Sequence, residues 1–129
     1  MPEPKEIAEL KHKLDERYTE LREEIREELL RSDDEHFIDL AGQVHDLHDE
    51  SLADLLVDLE LEIIDMHLAE VREVEDALAR IRVGSFGDCM DCKGEIEMER
   101  LEAHPTARRC WDCQSVYERN HAVPEHSTM

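Results

Sequence analysis

Glycine and proline are missing from the whole stretch between Gln43 and Val83, so nothing there punctuates a helix. Aromatic residues make up 4% of the 129-residue chain while 39% is charged, a balance that suits long solvated helices better than a compact globule. No apolar run approaches the ~20 residues of a membrane span, and no secretory signal precedes the charged N-terminus. A membrane partner is therefore excluded, and a cytoplasmic location is expected. Basic residues are scarce where the chain is longest: from Asp33 to Asp76, sixteen acidic residues face one base, Arg72. That segment carries fifteen of the twenty net negative charges and repels phosphate, which excludes direct DNA or RNA contact through it. Any macromolecular partner of this surface is expected to be basic.

Every cysteine lies in one place. Cys89-Met90-Asp91-Cys92 and Cys110-Trp111-Asp112-Cys113 are two Cys-x-x-Cys pairs separated by seventeen residues, a spacing that lets the second pair fold back and complete a four-sulfur tetrahedron. Zinc is the expected metal, one per chain, and its role structural, because four cysteines leave no open position for a catalytic water. The forty-six residues from Gly84 onward contain only Phe86, Trp111 and Tyr117 as aromatics, too few for a self-sufficient core. Two other uses of the cysteines have less support. Disulfides need an oxidising compartment, and a thioredoxin-like redox pair belongs beside a βαβ pattern that is absent here.

The rest of the chain reads as mainly α: a long antiparallel coiled-coil hairpin over 3–83, a small four-cysteine module with a short C-terminal helix over 84–121, and a flexible tail over 122–129. Pro4 suits a first helical turn, and Ile7, Leu10, Leu14, Leu21 and Ile25 form a narrow apolar stripe, widened by Tyr18, in a first helix running to about Arg31. The stripe breaks between Ser32 and Gly42, where the hairpin tip is expected, with Ser32 and Glu35 spaced as a capping box. A second helix is expected to run unbroken from Gln43 to Val83, through Leu47, Leu52, Leu55, Leu59, Ile63 and Met66 to Val71, Val74, Leu78 and Ile81. Folding about Phe37 pairs Ile7 with the neighbourhood of His67, which leaves the last apolar positions of helix two to pack on the zinc module. Glu99 to Ala103 reads as a short helical turn and Gln114 to His121 as a last helix. His45, His48 and Asp49 share a helical face but read as solvated side chains, and His67 as a half-buried residue near the seam. A monomer is expected, because the hairpin consumes both stripes.

The run Gly84-Ser85-Phe86-Gly87-Asp88-Cys89-x-x-Cys92, then Ile96, Arg100-Leu101-Glu102-Ala103-His104-Pro105-Thr106-Ala107 and Cys110-x-x-Cys113, resembles the four-cysteine finger of the bacterial DksA/TraR family. The resemblance implies a non-enzymatic regulator of transcription that binds RNA polymerase without touching DNA and inserts its coiled-coil tip through the secondary channel. The family's tip reads Asp-x-x-Asp-x-Ala. The stretch His36-Phe37-Ile38-Asp39-Leu40-Ala41 matches its second acid and its alanine, so Asp39, Ala41 and His36 are the candidate effectors, with His36 in place of the first acid. From spacing alone Asp39 reads first as a turn or cap residue, and it is the resemblance that makes it an effector. Members that respond to guanosine tetraphosphate carry basic residues at positions matching Glu73, His104 and Gln114, so weak or absent alarmone binding is expected. Lys93-Gly94 follows the first cysteine pair where the family more often has glycine at once. A different reading keeps the fold and makes the protein a zinc-containing coiled-coil adaptor for another basic partner.

Overall fold

The computed structural model describes residues 2–48, 50–57 and 62–121. Six helices lie among them: α1 Pro4–Leu30, α2 Glu35–His45, α3 Leu52–Leu56, α4 Glu62–Val83, α5 Met98–Ala103 and α6 Trp111–Asn120. No described helix is long and apolar enough to cross a membrane.

The long axis is α1 packed antiparallel on α4. α1 starts as its sequence dictates, with Pro4 in the first turn and Glu3 and Glu6 in a reciprocal capping box, which satisfies N–H groups that a helix start leaves unpaired. Its stripe of Leu10, Leu14, Leu21, Ile25 and Leu29 is buried, facing Ile64, Leu68, Val71, Val74 and Ala77 in one continuous core. A polar seam fixes the register. Arg17 holds Glu70 with two parallel bonds, Nε to Oε2 at 2.5 Å and Nη2 to Oε1 at 2.8 Å. His67 Nδ1 lies 3.2 Å from Glu24. The hydrogen bond from Arg17, then its charge, holds the Glu70 carboxyl below its ordinary range against the opposing effect of burial.

This register corrects the pairing expected from sequence. His67 faces Glu24, not the neighbourhood of Ile7, so Leu68, Val71 and Val74 are buried in the α1/α4 seam and are not left over for the zinc module. The cause is that the second half of the hairpin is not one helix. Asp34, not Ser32, caps the next helix, its side chain accepting from the His36 N–H at 2.8 Å, and α2 folds straight back onto α1. The chain leaves the helical path again after His45, and Ser51 caps α3 by accepting from the Asp54 N–H at 3.1 Å. Aspartate and serine side chains offer the backbone a local alternative to the helical ladder, which apolar spacing alone does not register. Leu59 lies outside the described residues, as do Asp49 and the tail 122–129.

Among the described residues, several contacts join the arm to the C-terminal module. Gly87 sits at φ 92°, and a Cβ there would lie 2.8 Å from Cδ of Pro2. The start of α1 therefore rests on the module's first turn, and only glycine permits both the backbone and the approach. At the end of α4, Arg80 donates to the carbonyls of Ala107 at 3.1 Å and Thr106 at 3.4 Å.

Candidate metal centre and its junction with the arm

The finger begins where α4 ends. Gly84, at φ 84°, turns the chain, and Ser85 N–H caps the Arg80 carbonyl at 2.9 Å. Asp88 and Glu95 then pair as an isolated antiparallel bridge, with Ile96 N–H donating to Gly87 O and Cys89 N–H to Gly94 O, both at 2.8 Å. That tight loop presents Cys89 and Cys92. The second pair stands at the start of α6, where Cys110 is the N-cap and Cys113 lies in the first turn. Met90 N–H donates to the Arg108 carbonyl at 2.9 Å and stitches the two halves together.

All four sulfurs lie within 4.8 Å of one another, and Cys92 Sγ is 3.9 Å from Cys110 Sγ. A zinc tetrahedron with ~2.3 Å bonds has sulfur edges of about 3.8 Å, so the donor set fits a closed four-thiolate site. Burial pushes the Cys89 thiol up, but the N–H groups of Cys92, Cys110 and Asp91 outweigh it and bring it down to about 6. The sulfurs of Cys110 and Cys89 push Cys113 far up. Four sulfurs this close cannot all ionise without a cation among them, and a structural zinc supplies that charge. Among the described residues no other group of histidine, cysteine or carboxylate side chains is arranged to hold a metal; His45 and His48 are exposed.

Comparison with known proteins decides the module. Residues 84–119 match the prokaryotic dksA/traR C4-type zinc finger. The C-terminal module is thus similar to that finger over nearly its whole length. The chain is 33% identical over 97 residues to "RNA polymerase-binding transcription factor DksA" of Salmonella typhimurium and of Escherichia coli K12, a match covering 75% of this chain and 64% of each relative. This chain thus spans just under two thirds of the length of those curated DksA proteins. It also resembles the solution structure of a DnaK suppressor protein from Agrobacterium tumefaciens, with 26% identity and a TM-score of 0.56, covering 85% of this chain and 92% of that one.

The residue directly after the first cysteine pair, Lys93, has an unusual backbone conformation. Lys93 has φ 64°, the left-handed region where a side chain costs roughly 1–2 kcal/mol. Its Nζ donates to the Met90 carbonyl at 3.1 Å, which keeps the turn closed over the first cysteine pair.

The three positions that the resemblance implies for alarmone contact lie together. Glu73, His104 and Gln114 line one pocket of about 420 Å³ between α4 and the finger. Arg100, Arg108, Arg109 and Glu118 line it too, and three arginines there were not counted in the sequence reading. Each is engaged: Arg108 Nε with Asp76 at 3.1 Å, Arg109 Nε with Asp91 at 2.7 Å, and Arg100 Nε with the Arg109 carbonyl at 2.8 Å. The Arg109 guanidinium also lies 3.9 Å over the Tyr117 ring.

The tip candidates lie on α2. His36 and Asp39 are exposed, with Gln43 Nε2 donating to Asp39 Oδ2 at 3.0 Å, whereas Ala41 is buried. Any effect of Ala41 would run through the packing of α2. Reading the same motif ten residues later finds Asp46-x-x-Asp49-x-Ser51, which keeps both acids and puts serine for alanine. Asp46 ends α2 and Ser51 caps α3. This second match was missed because the expected unbroken helix hid the break in which it sits.

Proposed function

We propose that this protein regulates transcription by binding RNA polymerase directly, inserting its acidic arm into the secondary channel without contacting DNA. The observation that carries the reading is a dksA/traR finger continuous with an acidic helical arm, in a chain one third identical to RNA polymerase-binding factors. The arm's charge supports it: an anionic rod is steered into a basic-lined channel and repelled from phosphate. On this reading the protein is not an enzyme, works in the cytoplasm as a monomer, and uses zinc only to hold the finger. The acids Asp39 and Asp46 are its candidate effectors, beside His36 and Ala41. Alarmone response through the junction pocket is weak, since Glu73 and Glu118 place two carboxylates in its wall and the arginines are already engaged.

Binding to polymerase core enzyme, measured with a competitor for the secondary channel and with single-round transcription on the same samples, tests this. Wild type is expected to bind at micromolar concentration or below and to be displaced. Asp39→Asn or Asp46→Asn is expected to bind while losing its effect on transcription. Absence of binding at micromolar concentration sinks the polymerase reading and leaves an adaptor for another basic protein.

A further inference from the structure

Gly42 is the one glycine inside a helix among the described residues. Glycine there disfavours the helix about fivefold relative to alanine, and nothing within the fold requires it. Its φ is not positive, and a Cβ built on it would meet no atom within 4 Å. A bare backbone that neither conformation nor crowding demands leaves room for a group that approaches from outside. The surroundings say which kind. Asp39, Gly42 and Asp46 follow one another at three and four residues and share the face of α2 turned away from buried Leu40, Ala41 and Val44. Both acids are exposed, and Ile38 beside them is 46% exposed. No lysine or arginine lies between Ser32 and Val57. Beyond Asp46 the face runs into a groove of about 650 Å³ between the end of α2 and α3, lined by Asp46, Glu50 and Asp54 with Leu47 and Leu55. The groove is preformed. Glu75 of α4 accepts from Tyr18 Oη at 2.6 Å, Ser51 Oγ at 2.7 Å and Leu52 N–H at 3.0 Å, which pins the start of α3.

We propose that the outer face of α2 docks a cationic helix of RNA polymerase, whose backbone lies in the notch at Gly42 and whose next turn enters the groove. Shape and sign set the occupant. A bare notch admits a helix axis closer than the ordinary separation of about 8–10 Å, and exposed Ile38 gives that helix an apolar contact. Carboxylates at Asp39, Asp46, Glu50 and Asp54 call for lysine or arginine on it. A second copy of this chain would meet the face with like charge, and nucleic acid is repelled from it. No single carboxylate decides the docking, because neutralising one leaves the field of the others, so an Asp39→Asn protein still binds. Gly42 decides it. The inference rests on the polymerase reading for the identity of the partner, and adds to it the residue on which docking turns.

The test compares full-length wild type, Gly42→Ala, Gly42→Gln and, as a control off this face, Thr19→Gln on the exposed side of α1. Each is melted thermally and titrated against polymerase core enzyme. Both Gly42 variants are expected to melt about 2–5 °C above wild type, because each adds helix propensity. In the same samples, affinity for core enzyme is expected to fall roughly fivefold for Gly42→Ala and roughly fiftyfold for Gly42→Gln, whose side chain fills the notch. Thr19→Gln is expected to bind as wild type does. A Gly42→Gln protein that melts higher and still binds as tightly as wild type overturns the proposal and leaves the polymerase reading standing. Gly42 variants that melt below wild type overturn it as well, since the glycine then serves the fold. Equal weakening by Thr19→Gln also overturns it, because the loss is then not particular to this face. No binding by wild type overturns the docking face and the polymerase reading together.

Discussion

The finger and the arm of this protein differ in what holds them together. The arm is a run of buried leucine, isoleucine and valine from Leu10 to Ala77 with no buried polar side chain among the described residues. The finger buries Phe86, Ile96, Leu101 and Ala107 beside its cysteines, and its last helix, α6, buries none of its side chains. One is stable because apolar surface leaves water, the other because four thiolates converge on a metal. The difference teaches where each is vulnerable. A narrow stripe has several partners of similar quality along its length, whereas a tetrahedron of four named atoms has one.

Removing the metal breaks the comparison most strongly. A structural zinc contributes roughly 10–16 kcal/mol of apparent binding free energy, which becomes folding free energy in so small a module. Chelation, or Cys89→Ser, is expected to collapse the amide dispersion of 84–121 in a nuclear magnetic resonance spectrum while α1 and α4 keep their helical signals. Finger resonances that persist in metal-free protein would falsify the metal-dependent module. The arm has its own test. Leu21 is fully buried in the α1/α4 seam, and Leu21→Ala is expected to cost about 2–5 kcal/mol, read as a lower thermal midpoint for the arm with zinc content unchanged. A loss of zinc alongside would mean that the two regions fold as one unit. The smallest effect runs in the opposite direction. Lys93→Gly relieves the left-handed backbone at φ 64° and is expected to stabilise the finger by about 1 kcal/mol, seen as slower zinc release to a chelator. Faster release would show that the Lys93 bond to Met90 outweighs the strain.

Legibility followed the same division. The four ligands, the helical class and the short helices of the finger could be read because cysteine spacing and helix signals are local; α5 spans Met98–Ala103 and α6 begins at Trp111, within a few residues of expectation. The register of the arm could not. Its stripe is equally well served by one long helix or by three, and the choice turned on Asp34 and Ser51 acting as caps. The pairing of His67 with Glu24, and with it the burial of Val71 and Val74 on α1, followed from that choice.

By itself the sequence determined a helical, acidic chain ending in a closed four-cysteine zinc site, because residue type, charge and the spacing of thiols are fixed before any folding. Only the tertiary structure decided that α2 lies back on α1, that Ala41 is core while Asp39 is surface, and that Tyr18 and Ser51 meet on Glu75. Those outcomes depend on which of several in-phase apolar faces meet, and contacts between residues thirty or fifty positions apart settle that.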